Sequence, residues 1–263
     1  HLVFAYYLSS LVVQFLIENY GLGRLQEVLG VFAGGLPVNV ALERRMVPLG
    51  QLDQEFQDYA REEARQFGPD LDWQEYDLSA VVSDGAPERL EAWVADHPDS
   101  VSGLTALVQQ QIENREWSKA KPVARKLIDA APDFAGGGSF YPVLAAIHRE
   151  LGETDAERSV LESYVERADA AVPSLLRLLD LQSNADDWEA VLATVGKLRA
   201  VNPLLPAMHR VAAEAAERTD RDNAAIVAWR SRIALGTDDR AEAHYRLARL
   251  LHRQGRGAAK REL

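Results

Sequence analysis

The sequence of 263 residues contains no cysteine. Disulfides, thiolate metal ligands and a cysteine nucleophile are therefore excluded. Histidine is scarce: His1, His97, His148, His209, His244 and His252 are all there is, and no two stand four residues apart. The HExxH signature, which sets two metal-binding histidines and a general base on one helix, is absent. A serine nucleophile fares no better. Ser9 and Ser10 lie in a helical pattern without a base nearby, and no GxSxG turn occurs. Long apolar runs are missing too. The opening run from Leu2 to Ile17 is broken by Ser9, Ser10 and Gln14 and followed at once by Glu18 and Asn19. It falls short of the ~20 residues of a membrane span and is read as a buried core helix, apolar nearly all round.

Positive charge is in deficit, with 29 basic against 40 acidic residues and a net charge of −11. Residues 51–100 hold fourteen acids and three arginines, which accounts for the whole imbalance. Such a chain repels nucleic acid, so phosphate-backbone binding is not expected. Hydrophobic residues make up 47% and charged residues 26%, the composition of a soluble globular protein with a real core. The lack of cysteine is compatible with export or a bacterial periplasm and does not fix the compartment. The chain starts at His1 rather than methionine and is read as a processed product or a piece of a longer protein.

Three segments follow from the patterning. Residues 1–67 read as a block of four helices, over 3–20, 24–32, from Pro37 onward, and 51–67, punctuated by Gly21, Gly23, Gly34 and Gly35. The acids of the fourth, Asp53, Glu55, Asp58, Glu62 and Glu63, lack calcium-loop spacing and read as a solvated face. Residues 68–86 open with Gly68, Pro69, Asp70 and Asp72, which is turn chemistry. They also carry Trp73, Tyr76 and Leu78, so an ordered strap packed on a neighbour is expected rather than a free linker. From residue 87 to 263 the chain becomes a series of helical hairpins with a period near 34 residues, marked by Pro98, Pro132, Pro203 and the GTDD stretch from Gly236.

Tyr141, Leu144, Ala145 and Gly152 share one pattern of large, small and turn residues. Trp117, Ala120 and Pro132 share it in part, as do Trp188, Ala190 and Pro203. Leu247, Ala248, Leu251 and Gly255 repeat it, with Ala258 or Ala259 opening a further helix, and Ala225 and Trp229 fit the hairpin between. This pattern resembles the tetratricopeptide repeat (TPR) family. The resemblance implies an all-α fold, a helical-hairpin solenoid preceded by the small helical block, in which small residues let helices cross closely and each hairpin buries its apolar face on its neighbours. It also implies a protein or peptide partner, held on a surface lined by the first helix of each pair, here residues 100–114, 139–150, 173–184, 205–218 and 240–253.

The opening segment, AYYLSSLVVQFLIENYG followed by GRLQEVLGVFAGGLPVNVAL, resembles the helical C-terminal end of a gluzincin zinc peptidase domain of the peptidase MA-like kind. In that pattern a tyrosine precedes a glycine by fifteen residues, and Tyr6 stands so to Gly21. Tyr7 and Leu8 occupy the positions of the family's glutamate and lysine, a departure from it. The resemblance implies that Tyr6 is a leftover transition-state residue, that zinc belongs only to a longer parent protein, and that an HExxH half lies upstream of residue 1. No catalytic residue beyond Tyr6, no metal ligand and no cofactor is assigned to this chain.

Two further features carry alternatives. Gly136, Gly137 and Gly138 before Ser139 form either a phosphate cradle or an ordinary inter-hairpin loop; the lysine of a P-loop is missing. Arg246, Arg249, Arg253, Arg256 and Lys260 recur at three and four residues, on one helical face. They form either a site for an acidic partner, with Arg246, Arg249 and Arg253 as its candidates, or a solvated face paired with acids. The function expected is a non-catalytic interaction scaffold; the alternative is the non-catalytic end of a zinc metallopeptidase.

Overall fold

The computed structural model describes residues 2–82, 87–168, 171–236 and 240–255, with the backbone alone for residues 2–7 and 87. The side chain of Tyr6, and Arg256, Ala258, Ala259 and Lys260, lie outside the described residues. The chain divides into two units, His1–Asp70 and Leu71–Leu263. Among the described residues there are helices and one isolated bridge, Asp72 to Ser100, and no strand.

The first unit holds α1 (Leu2–Tyr20), α2 (Leu22–Ala33), α3 (Val38–Arg45) and α4 (Leu49–Gln66). Gly21, at φ 82°, turns the chain between α1 and α2, where a side chain would be strained. Pro37 and Pro48 immediately precede α3 and α4, in the extended conformation that lets each helix start cleanly. Phe15, Leu16 and Leu52 form the core, with the Phe15 ring edge-on to Phe56 at 5.6 Å. The Tyr20 hydroxyl donates to Glu55, and burial together with that carboxylate pushes the phenol up to about 12. One expectation is corrected here. The α1 helix is not enclosed all round: Leu11, Phe15 and Leu16 are buried, but Val13 and Ile17 are 46% and 38% exposed.

In the second unit the strap packs on the helices that follow it. Leu71 is buried, the Asp72 amide donates to Asp99 O, and the Val101 amide donates to Asp72 O. Trp73 meets Phe134 edge-on, and Tyr76 meets Trp93. The strap includes one helical turn, α5 (Ser79–Val82). Then come α6 (Pro87–Asp96), α7 (Val101–Glu113), α8 (Trp117–Ala130), α9 (Tyr141–Glu150), α10 (Thr154–Arg167), α11 (Val172–Asn184), α12 (Trp188–Val201), α13 (Pro206–Arg218), α14 (Asp222–Ala234) and α15 (Arg240–Arg253).

The hairpins are α7/α8, α9/α10, α11/α12 and α13/α14, and α15 opens the next. Each internal turn places one residue in the left-handed region: Arg115, Gly152, Asp186, Asp220 and Gly255, at intervals of 34 to 37 residues. The same helix-ending motif recurs around it. The amides of Glu116, Glu153, Asp187 and Arg221 donate to the carbonyls of Gln111, His148, Gln182 and Ala216, satisfying groups the helix end leaves free. The longest interval, Arg115 to Gly152, contains the Gly136–Gly138 run, which lies in the loop between α8 and α9.

Close helix crossings use small residues: Ala120, Ala145, Ala213 and Ala225 are all buried. Leu144, Ile147, Leu178, Leu198, Met208, Leu247 and Leu250 fill the spaces between hairpins. Trp117 and Trp188 each open the second helix of a hairpin. The residue in register with Ala120 and Ala225 is Val191, which is fully buried, whereas Ala190 is only half-buried.

Candidate functional site

Hairpins are tied to one another near their internal turns by charge. Lys121 donates to Glu153 at 2.7 Å, and Arg158 donates to Asp187. Arg221 donates to Glu189 at 2.8 Å, and Arg253 donates to Asp222. In the first two pairs the base stands on the earlier hairpin; in the last two it stands on the later one. His148, buried on α9, joins the first pair with Nδ1 2.6 Å from Glu153. Lys121 and then His148 hold the Glu153 carboxyl below its usual value, and Arg158 and the Ala190 amide do the same for Asp187.

The three candidate arginines are drawn into this system. Arg249 donates to Glu217 Oε2 at 2.6 Å, and Arg246 approaches the same oxygen at 3.7 Å and Glu242 at 3.3 Å. Arg253 grips Asp222 through Nε at 2.9 Å and through a second donor. Glu217, its side chain only 10% exposed, also accepts from Trp229 Nε1 at 2.8 Å. A carboxylate so nearly buried needs these partners to offset its lost hydration. The arginine face thus helps fasten α15 to α13 and α14.

The same arginines line a recess of about 440 Å³ with Trp188, Glu214, Glu217 and Arg218. Four guanidinium groups face two carboxylates there. Arg218 lies over the Trp188 ring, 5.3 Å from its centroid, and has no carboxylate partner among the described residues. Sequence reasoning missed both Trp188 and Arg218 as part of this arrangement. Their signal is the repeat register itself, which sets the start of one second helix beside the end of the next first helix.

Other features singled out in the sequence do not converge on a reactive centre. Gly136 and Gly137 line a different recess with Asp133, Tyr164 and Arg167. Ser9 and Ser10 lie on α1. Among the described residues no group of three or more His, Asp or Glu side chains is placed to hold a metal ion, so nothing described fits a zinc site. No helix among them is long and apolar enough to cross a membrane.

No family model matches the chain, and no curated protein matches its sequence. Solved structures do match in fold. YrrB, described as a TPR protein with an unusual peptide-binding site, shares 10% identity at a TM-score of 0.50, over 67% of this chain and 90% of its own. A tetratricopeptide repeat protein from Parabacteroides merdae shares 17% identity at a TM-score of 0.44, over 70% of this chain and 73% of its own. The likeness to YrrB, taken with the recurring hairpins and their left-handed turns, gives the chain its fold: a tetratricopeptide-type array of helical hairpins.

Proposed function

We propose that the repeat unit is a non-catalytic interaction scaffold that holds a protein or peptide partner, and that an acidic group of the partner enters the arginine-lined recess between α13 and α15. The observation that carries this is Arg218, which lies over the Trp188 ring in a recess lined by three further arginines and, having no carboxylate partner among the described residues, is left for an incoming anion. Arg246 and Arg249 add field and spare donors, although Glu217 already holds them. YrrB's described peptide-binding site is in keeping with this use of the fold. The test is anisotropy titration of a fluorescein-labelled acidic peptide, a run of glutamates ending in a free carboxylate. Binding is expected to weaken about tenfold in Arg218→Ala and to fall steeply with salt. Equal binding by wild type and Arg218→Ala would overturn it.

A second reading concerns the first unit. We propose that it is the end of a peptidase MA-like domain whose catalytic part lies upstream, with Tyr6 as the inherited residue. Supporting this, α1 to α3 expose the large apolar residues Val13, Leu22, Leu29, Phe32 and Val38, side chains that an adjoining domain would cover. Coding sequence upstream of His1 that contains HExxH is the expected finding; its absence there would refute the reading.

A further inference from the structure

The most exposed large apolar residues among the described residues are Leu204 and Val227, at 69% and 60%. They come together. Both line a recess of about 390 Å³ with Arg199, Pro203, Ala234 and Leu235, at the end of α12 and along α14. This volume lies within the range of sites that hold small ligands or a few side chains.

The loop that presents Leu204 is anchored. The Leu204 amide donates to the Asn202 side-chain oxygen at 3.3 Å, closing a local turn. His209, buried on α13, donates from Nε2 to the Pro203 carbonyl at 2.8 Å. Leu205, the next residue, turns the other way and packs on the core. Leu204 is therefore held outward by fixed backbone, and its exposure does not come from a loose loop. The recess is apolar but not neutral: Arg199 lines it, is exposed and has no carboxylate partner among the described residues, and no acid lines it.

We infer that this recess is a docking site for a partner segment presenting a large apolar side chain with a carboxylate beside it. The apolar side chain fills the space between Leu204 and Val227, and the carboxylate pairs with Arg199. The inference rests on the scaffold reading but names a separate surface, so failure at one recess is distinguishable from failure at the other.

The probe is a fluorescein-labelled peptide, Gly-Ser-Asp-Leu-Phe-Asp-Ser-Gly, titrated with the full chain and followed by anisotropy. Saturable binding is expected, weakened about tenfold or more by Leu204→Ser through lost apolar contact. Arg199→Glu and a peptide with lysine in place of aspartate should each weaken it severalfold, while Arg125→Ala, at an exposed position on α8, leaves it unchanged. Melting temperatures of the variants should match wild type, because both side chains are exposed. Lack of saturation by about 1 mM, or equal binding by Leu204→Ser, would overturn the proposal. So would loss of binding in Arg218→Ala alone, which would assign the peptide to the arginine recess. Sedimentation showing a dimer that Leu204→Ser abolishes would also overturn it, since a second copy would then be the occupant.

Discussion

Glu157 on α10 is buried beneath Arg177 on α11, its two carboxylate oxygens accepting from Nε at 2.7 Å and Nη2 at 2.8 Å. The Glu157 side chain is 2% exposed, at the position where the first and last complete hairpins carry the buried alanines Ala120 and Ala225. A bidentate guanidinium is what makes a charge tolerable at this crossing, and hydrogen bonding to Glu157 holds the Arg177 pKa above its usual value.

Removing only one partner should therefore be costly. Arg177→Met leaves a buried carboxylate alone and is expected to destabilise the fold by about 3 kcal/mol, read from urea unfolding midpoints. Adding Glu157→Ala should recover most of the loss. A double variant as unstable as the single one would show that the pair does not act as a unit.

The crossing alanines make a second test. Ala120→Leu and Ala145→Leu should each cost ~1–3 kcal/mol, because added methylenes have no room in a packed crossing. Ala190→Leu, at the half-buried neighbour of Val191, should be close to neutral. If all three melt alike, the register described for the hairpins is wrong.

Acid should loosen the joints between hairpins. Glu153 and Asp187 have folded-state pKa values lowered from 4.5 and 3.8 by their basic partners. Their contribution is therefore present above those values and lost as pH falls through the lowered ones. Both carboxylates are partly exposed, so the effect is modest. The difference in melting temperature between wild type and Lys121→Met/Arg158→Met should be constant near neutrality and shrink below pH 4.5. A gap that persists unchanged in acid would remove these pairs from the account.

Much of this was legible in the sequence. Glycine and proline punctuation, with apolar spacing between, marks the helices, because turns need particular backbone angles whatever surrounds them. Left-handed residues other than glycine, Arg115, Asp186 and Asp220, give a weaker signal, and the exchange of Val191 for Ala190 at the crossing went unseen for that reason. The arginine stripe shows the larger limit. Spacing along α15 correctly puts Arg246, Arg249 and Arg253 on one face. Apart from Glu242 on α15 itself, which meets Arg246, their acids lie on the preceding hairpin, with Glu217 and Asp222 32 and 31 residues upstream of Arg249 and Arg253, and only the stacking of hairpins brings them opposite. Reversing all three arginines to glutamate would set like charges against Glu217 and Asp222 and disturb α15 itself. Arg218, which fastens no carboxylate, is the better probe. The loop bearing Leu204 was equally silent, since a leucine after Asn202 and Pro203 has no preferred side until the fold supplies one.

The scaffold reading is tested most directly by site-specific photocrosslinking in cells that produce the protein naturally. A benzophenone amino acid placed at Glu214, which lines the arginine recess without being asked to hold the partner's acidic group, should yield a discrete adduct with another protein. The same group at Arg125, exposed on α8, should yield none. Adducts absent from position 214, formed equally at both positions, or consisting only of a second copy of this chain would contradict the account.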